Sequence, residues 1–182
     1  MSSKDDNGGV FYQAAEPELL GPSDDIKKVF SGKYYQYDGT AETAKKIAAA
    51  KSIDKGKTTY INDAYNANYD SMKAALEYLR NVKNRRKIAI LGDMLELGKF
   101  SNQIHSDVGR EVYDIDVLIT VGNEAKNIAN NAKISKENIF SFDNNDDAIK
   151  KIKMIIGEND LILVKASNGM KFTNIVDIIK SF

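Results

Sequence analysis

The sequence predicts an α/β domain, a doubly wound and mostly parallel sheet flanked by helices, over residues 58–182. Two observations carry this. Five short β-prone runs alternate with five segments of helical spacing, the pattern of chained β–α–β units. Several runs are apolar nearly throughout, as strands are when helices cover both faces of a sheet. Right-handed crossovers then wind the chain into one layer of parallel strands.

The elements follow in order. The run "TTYIND" (58–63) precedes Met72, Ala75, Leu76 and Leu79, which fall at i, i+3, i+4 and i+7. That spacing gives one apolar helix face, with Asp70 the expected N-cap. "KIAILG" (87–92) leads to Ile104, Val108 and Val112, four residues apart. "VLITVG" (117–122) leads to Ala125, Ile128, Ala129 and Ala132. "IFSF" (139–142) precedes Ile149, Ile152 and Ile156, with Asn144 or Asn145 near the start of that helix. "LILVKA" (161–166) precedes the last stripe, Phe172, Ile175, Val176 and Ile179.

Residues 1–57 read differently, as a tail or appendage whose role the sequence leaves open. They hold both prolines. "VFSGKYYQYDG" (29–39) is aromatic and strand-like, and "TAETAKKIAAAKS" (40–52) is a helix by propensity.

Composition narrows the function classes. The 26 basic and 26 acidic side chains cancel, which argues against a dedicated nucleic-acid surface. The absence of cysteine excludes disulfides, thiolate metal sites and a cysteine nucleophile. The N-terminal "MSSKDDNGG" lacks the basic start and apolar stretch of a signal peptide. No window approaches the roughly 20 apolar residues that span a bilayer. The expectation is a cytoplasmic domain that does not insert into membranes.

In an open parallel sheet, ligands bind beyond the carboxyl ends of the strands. Along that edge the first strand ends in Asp63 and runs into Asn66 and Asn68. The second ends in Gly92-Asp93, the third in Gly122-Asn123-Glu124, and the fifth in Lys165 followed by Ser167-Asn168-Gly169. A carboxylate there can accept ribose hydroxyls, a lysine can pair with phosphate or carboxylate, and a glycine lets an anion approach backbone N–H groups. Each also has a plainer reading: Asp63, Asn66 and Asn68 suit turns and caps, and Gly92-Asp93 suits a tight turn. Lys165 is the most telling, because a lysine ending a doubly covered strand needs a partner. His105, the single histidine, lies beside Ile104 on a helix and reads as a packing or surface residue rather than a catalytic base.

One motif is a decoy. "DKGKTT" (54–59) ends like a phosphate-binding loop, but Lys51 stands where the upstream glycine belongs, and a strand rather than a helix follows. No metal-ligand cluster and no serine–histidine arrangement is expected, and no catalytic residue is assigned.

Three stretches together go further: "INDAYNANYDSMKAALEYL", "RRKIAILGDMLELGKFSNQIHSDVG" and "LILVKASNGMKF". They resemble the C-terminal, Rossmann-like domain of the Mur ligases, and within that family the branch adding D-alanyl-D-alanine to UDP-N-acetylmuramoyl-tripeptide. The resemblance covers residues 58–182. It implies a three-domain, ATP- and Mg2+-dependent amide ligase of peptidoglycan synthesis, whose central ATPase domain phosphorylates the substrate carboxylate before the dipeptide amine attacks. Carried onto this sequence, it gives Asp63 to the nucleotide ribose, with Asn66 and Asn68 lining the inter-domain cleft on the nucleotide side. It gives Asp93, His105, Lys165, Ser167 and Asn168 to the substrate side. The chain departs from the family pattern at Tyr69, where proline is usual, and at Lys165-Ala166-Ser167-Asn168, where the family reads K-G-S-R.

The phosphate loop, magnesium ligands and catalytic lysine of the central domain have no counterpart in these 182 residues. The expectation is therefore a domain that folds but does not ligate alone and binds no cofactor tightly by itself. The alternative is a non-catalytic Rossmann-like binding or interaction module derived from such a ligase. A third reading, a folate-type polyglutamate ligase, is disfavoured by the pairing of "YNAN" with "GDMLELG".

Overall fold

The computed structural model describes residues 34–35, 58–64 and 67–181, and for Tyr34, Tyr35, Thr59 and Asp63 the backbone alone. The expected helix over 40–52, the "DKGKTT" stretch up to residue 57, and Asn66 lie outside the described residues.

The strands are β1 (Tyr34–Tyr35), β2 (Thr59–Asp63), β3 (Arg86–Gly92), β4 (Val117–Val121), β5 (Ile139–Phe142) and β6 (Asp160–Lys165). The helices are α1 (Tyr69–Asn81), α2 (Ser101–Arg110), α3 (Lys126–Asn131), α4 (Asn145–Ile155) and α5 (Thr173–Ile179). The sheet order is β1-β2-β6-β3-β4-β5, every neighbouring pair parallel. The five strands expected from the sequence are all present within a residue or so. A two-residue strand from the aromatic 29–39 stretch adds to the β2 edge, Tyr34 against Tyr60 and Tyr35 against Ile61.

Side chains alternate along each strand, so the sheet divides two cores. Ile61, Ala89, Leu91, Leu118, Leu161 and Leu163 face α1, α2 and α3, meeting Met72, Leu76, Leu79, Val108 and Ile128. Tyr60, Ile88, Ile90, Ile119, Ile162 and Val164 face α4 and α5, meeting Ile152, Phe172, Ile175, Val176 and Ile179. Each fully buried leucine or isoleucine contributes about 1.5–3 kcal/mol. The helical stripes read from spacing are these contact faces, except that Val112 lies just past α2 and Ala148, not Ile149, joins Ile152 in the buried set of α4.

One cap differs from expectation. The N-cap of α1 is Asn68, not Asp70: its side chain accepts from Ser71 N–H at 2.9 Å while Ser71 Oγ accepts from Asn68 N–H at 3.1 Å. This reciprocal capping box starts the helix two residues earlier, and it leaves Asp70 in the first turn, where its charge suits the helix dipole. Asn144 caps α4 without the reciprocal bond, its side chain accepting from Asp147 N–H at 3.0 Å.

The topology fixes where a cleft can form. After β2, β3 and β4 the chain leaves toward the α1–α3 face; after β5 and β6 it leaves toward the opposite face. Strand β6 lies between β2 and β3, so its carboxyl end sits where neighbouring loops diverge. That is the switch point at which open α/β sheets take ligands.

Candidate functional site

At this switch point Lys165 is the last residue of β6, in register with Asp63 of β2 on one side and Leu91 of β3 on the other. Alternation puts it on the α1 face of the sheet. It is 1% exposed and engaged by the protein itself, as a buried lysine must be. The backbone register thus places Asp63 and Lys165 side by side.

Ser167 and Asn168 follow β6. Ser167 N–H donates to the Asp93 carbonyl at 3.1 Å, and Ser167 Oγ accepts from Leu95 N–H at 3.0 Å. Asn168 opens a short 3-10 turn and is exposed. The loops after β6 and β3 are therefore laced together, which brings Lys165, Ser167, Asn168 and Asp93 to one edge.

Asp93 is turned inward. Its Oδ1 accepts from Ala125 N–H, the N-cap amide of α3, at 2.7 Å, and only 8% of the residue is exposed. It lies against Gly122, whose φ of +116° no other residue adopts easily and where a Cβ would sit 2.3 Å from Asp93 Oδ1. The position where a nucleotide-binding sheet often seats phosphate, a glycine turn opening a helix, is filled by the protein's own carboxylate. Asp93 is largely buried, with Oδ1 bonded to the head of α3 rather than free at the rim.

His105 is likewise turned inward. It is fully buried; Nε2 accepts from Met94 N–H at 2.9 Å and Nδ1 lies 2.8 Å from the Ser101 carbonyl. Both nitrogens are engaged by backbone groups of the protein. The ring is buried, as the packing reading expects, and its nitrogens also bridge α2 to the loop after β3.

Ser101 went unremarked in the sequence, and Glu124 was read only as part of the polar end of the third strand. Ser101 Oγ donates to Glu124 Oε2 at 2.8 Å and lies 3.3 Å from His105 Nδ1. Serine, histidine and glutamate thus meet, but not as a nucleophilic triad: the hydroxyl gives its proton to the carboxylate, and the imidazole is committed to backbone on both sides. The i, i+4 spacing of Ser101 and His105 was the one signal available. Asn68 is exposed at the head of α1, its Oδ1 committed to the cap. Of Asp63, the structure fixes the strand-end position alone.

The opposite end of the sheet carries a groove of about 470 Å³ lined by Arg80, Lys83, Arg85, Lys87, Asp114 and Asp116, among others. Its cations are largely spent on backbone carbonyls: Arg80 on Glu111, Arg85 on Asn159 and Asp160, Lys87 on Arg80 and Asp114. These bonds cap the carboxyl end of α1 and adjoining turns, as expected where helix dipoles end negative. The convergence of side chains at the β6 end is the better site.

A family model described as "Mur ligase, glutamate ligase domain" matches residues 41–168. The chain belongs to the Mur ligase family. Its sheet is the α/β fold of the family's C-terminal domain, as the motifs at the strand ends implied. It is 38% identical over 127 residues to the UDP-N-acetylmuramoyl-tripeptide–D-alanyl-D-alanine ligase of Bacillus subtilis (strain 168), covering 66% of this chain and 28% of that protein. Among solved structures, a MurF from Acinetobacter baumannii superposes with a TM-score of 0.61 at 28% identity, covering 71% of this chain and 30% of that one. The MurF ligase of Thermotoga maritima, solved with ADP, matches at a TM-score of 0.59 and 23% identity, over 70% and 29% of the two chains. At that identity the likeness concerns the fold. The chain thus spans less than a third of the length of these relatives. No helix among the described residues is long and apolar enough to cross a membrane.

Proposed function

We propose that this chain serves as the C-terminal half of the cleft in an ATP-dependent ligase that joins D-alanyl-D-alanine to UDP-N-acetylmuramoyl-tripeptide. The observation that carries the reading is the convergence of Asp63, Lys165 and Ser167 at the switch point, within a stretch similar to ligases of that name. Asp63, with Asn66 and Asn68 beyond it, would meet the ribose of the nucleotide. Lys165 would supply positive charge beneath the cleft floor, with Ser167 and Asn168 at its rim for the dipeptide or phosphate. Asp93 and His105 hold the rim in shape. ATP phosphates and magnesium would be held by the central ATPase domain, and this chain contributes no catalytic residue. The carboxylate of Asp93 at the head of α3 fits this division, because it repels phosphate from the Gly122 turn.

The test is a coupled ADP-release assay with the tripeptide precursor, D-alanyl-D-alanine and magnesium ATP. The chain alone should give no turnover, and added N-terminal and central ligase domains should restore it. Robust turnover by the isolated chain would overturn the division of labour.

The second reading is a binding or interaction module no longer used for ligation. It is favoured by Ala166 and Asn168, which stand where the family has glycine and arginine. Asn168 lacks the cationic fork that recognises a carboxylate bidentately. Calorimetry separates the two: saturable D-alanyl-D-alanine binding in the presence of the central domain supports the ligase, and its absence supports the module.

A further inference from the structure

The loop after β3 is held by a chain of hydrogen bonds separate from the proposed ligand contacts. Glu124, in the turn before α3, accepts from the Ser101 hydroxyl. The Ser101 carbonyl faces His105 Nδ1, and His105 Nε2 faces Met94 N–H. A backbone N–H donates and a carbonyl accepts, so Nε2 is the acceptor end of the ring and Nδ1 the donor end. One residue on, Leu95 N–H donates to Ser167 Oγ. A hydroxyl oxygen that accepts there keeps its own proton to give elsewhere. Ser167 is partly exposed at the cleft rim, so a ligand can receive it.

We infer that Glu124, Ser101 and His105 form a positioning clip: they fix Met94 and Leu95 so that the Leu95 amide orients the Ser167 hydroxyl as a donor to an anionic ligand oxygen, carboxylate or phosphate. The inference rests on the cleft assignment under Proposed function and adds to it the device that sets Ser167. Packing alone does not account for the chain's single histidine at this spot. A leucine would fill the volume, whereas only a side chain with a donor and an acceptor at opposite ends bridges α2 to the loop. Ser101 and Glu124 extend the bridge to the β4–α3 turn, which ties together the ends of β3, β4 and β6.

The full chain tests this. His105→Leu keeps the bulk and drops both polar contacts, His105→Gln keeps an acceptor at the Nε2 position, and Glu124→Gln is a mild break further back. By NMR, amide exchange at Met94, Leu95 and Ser167 is compared with the core amide of Ile162. His105→Leu should raise exchange at the three loop amides about tenfold relative to Ile162, the effect of leaving a buried donor unsatisfied. His105→Gln should restore most of the protection, and Glu124→Gln should show a smaller rise. Titrations with D-alanyl-D-alanine and with inorganic phosphate follow the Ser167 amide. Affinity should fall about tenfold in Ser167→Ala and His105→Leu and be kept in His105→Gln. Equal exchange in the leucine and glutamine variants, or wild-type exchange in both, overturns the clip. No saturable shift with either probe overturns the donor role of Ser167. Shifts with phosphate but not dipeptide support the clip and remove the dipeptide from the cleft assignment.

Discussion

Replacing Gly122 with alanine tests how the strand-end network is built. Two costs arise. The residue has φ +116°, a region in which a side chain is strained by about 1–3 kcal/mol. The new methyl would also lie 2.3–2.5 Å from the Asp93 carboxylate atoms, so the carboxylate must leave. Its bond to Ala125 N–H, 2.7 Å long, goes with it, and a buried unsatisfied donor costs about 1–3 kcal/mol. Gly122→Ala should therefore destabilise the domain by about 4 kcal/mol, a large part of the 5–15 kcal/mol that holds a typical domain together. Asp93→Ala alone should cost about 2 kcal/mol, through the lost hydrogen bond. The two losses share that bond, so the double variant should be no worse than Gly122→Ala, a coupling of about 2 kcal/mol. Gly157→Ala is the control: a methyl there meets nothing within 4 Å, and its φ lies outside the left-handed range. It should stabilise by about 0.5 kcal/mol through the unfolded chain. Urea unfolding of the five proteins, followed by circular dichroism, gives all the terms. Additive losses, or a Gly122→Ala variant within 1 kcal/mol of wild type, would refute the account of Asp93 as the plug of this turn.

Further expectations concern the helix ends. Asn68→Ala removes the capping box of α1 and should cost about 1 kcal/mol, with faster amide exchange in the first turn; loss confined to the far end of the helix would contradict the assignment. Asp147 is held below its ordinary value of 3.8, first by the hydrogen bond from Lys150, then by Asn144, while Lys150 is raised above 10.5 by Asp147. The sign follows from the directions. The Asp147 contribution is present above 3.8 and lost as pH falls through its lowered folded value; the Lys150 contribution is present below 10.5 and lost as pH rises past it. Carboxyl titration by NMR should give Asp147 a midpoint below 3.8 that rises in Lys150→Gln, and an unchanged midpoint in that variant would contradict the pairing.

The sheet was legible because its signal is local. Five apolar runs and the stripes after them mark strand and helix by period alone, and a β–α–β chain leaves few topologies open. The family motifs were equally local, and they named the strand-end residues before any coordinates placed them. Caps were less legible: both Asn68 and Asp70 are good N-caps, and Ser71 three residues after Asn68 decides between them. What the sequence did not contain was the direction in which a polar side chain turns. Asp93 and His105 stood among the ligand candidates, yet one plugs a helix head and the other locks a loop. Their partners, Ala125 and Met94, are backbone amides, and a backbone amide leaves no mark in a sequence because every residue except proline carries one. The bond between Ser101 and Glu124, 23 residues apart, was not legible for a related reason. Their meeting depends on how α2 and the β4–α3 turn pack, which is settled by the whole sheet. Sequence alone determined the fold and the family. Tertiary structure decided which polar groups at the strand ends are spent on holding them together, Asp93 and His105 on backbone amides, and which, like Asn168, stay exposed.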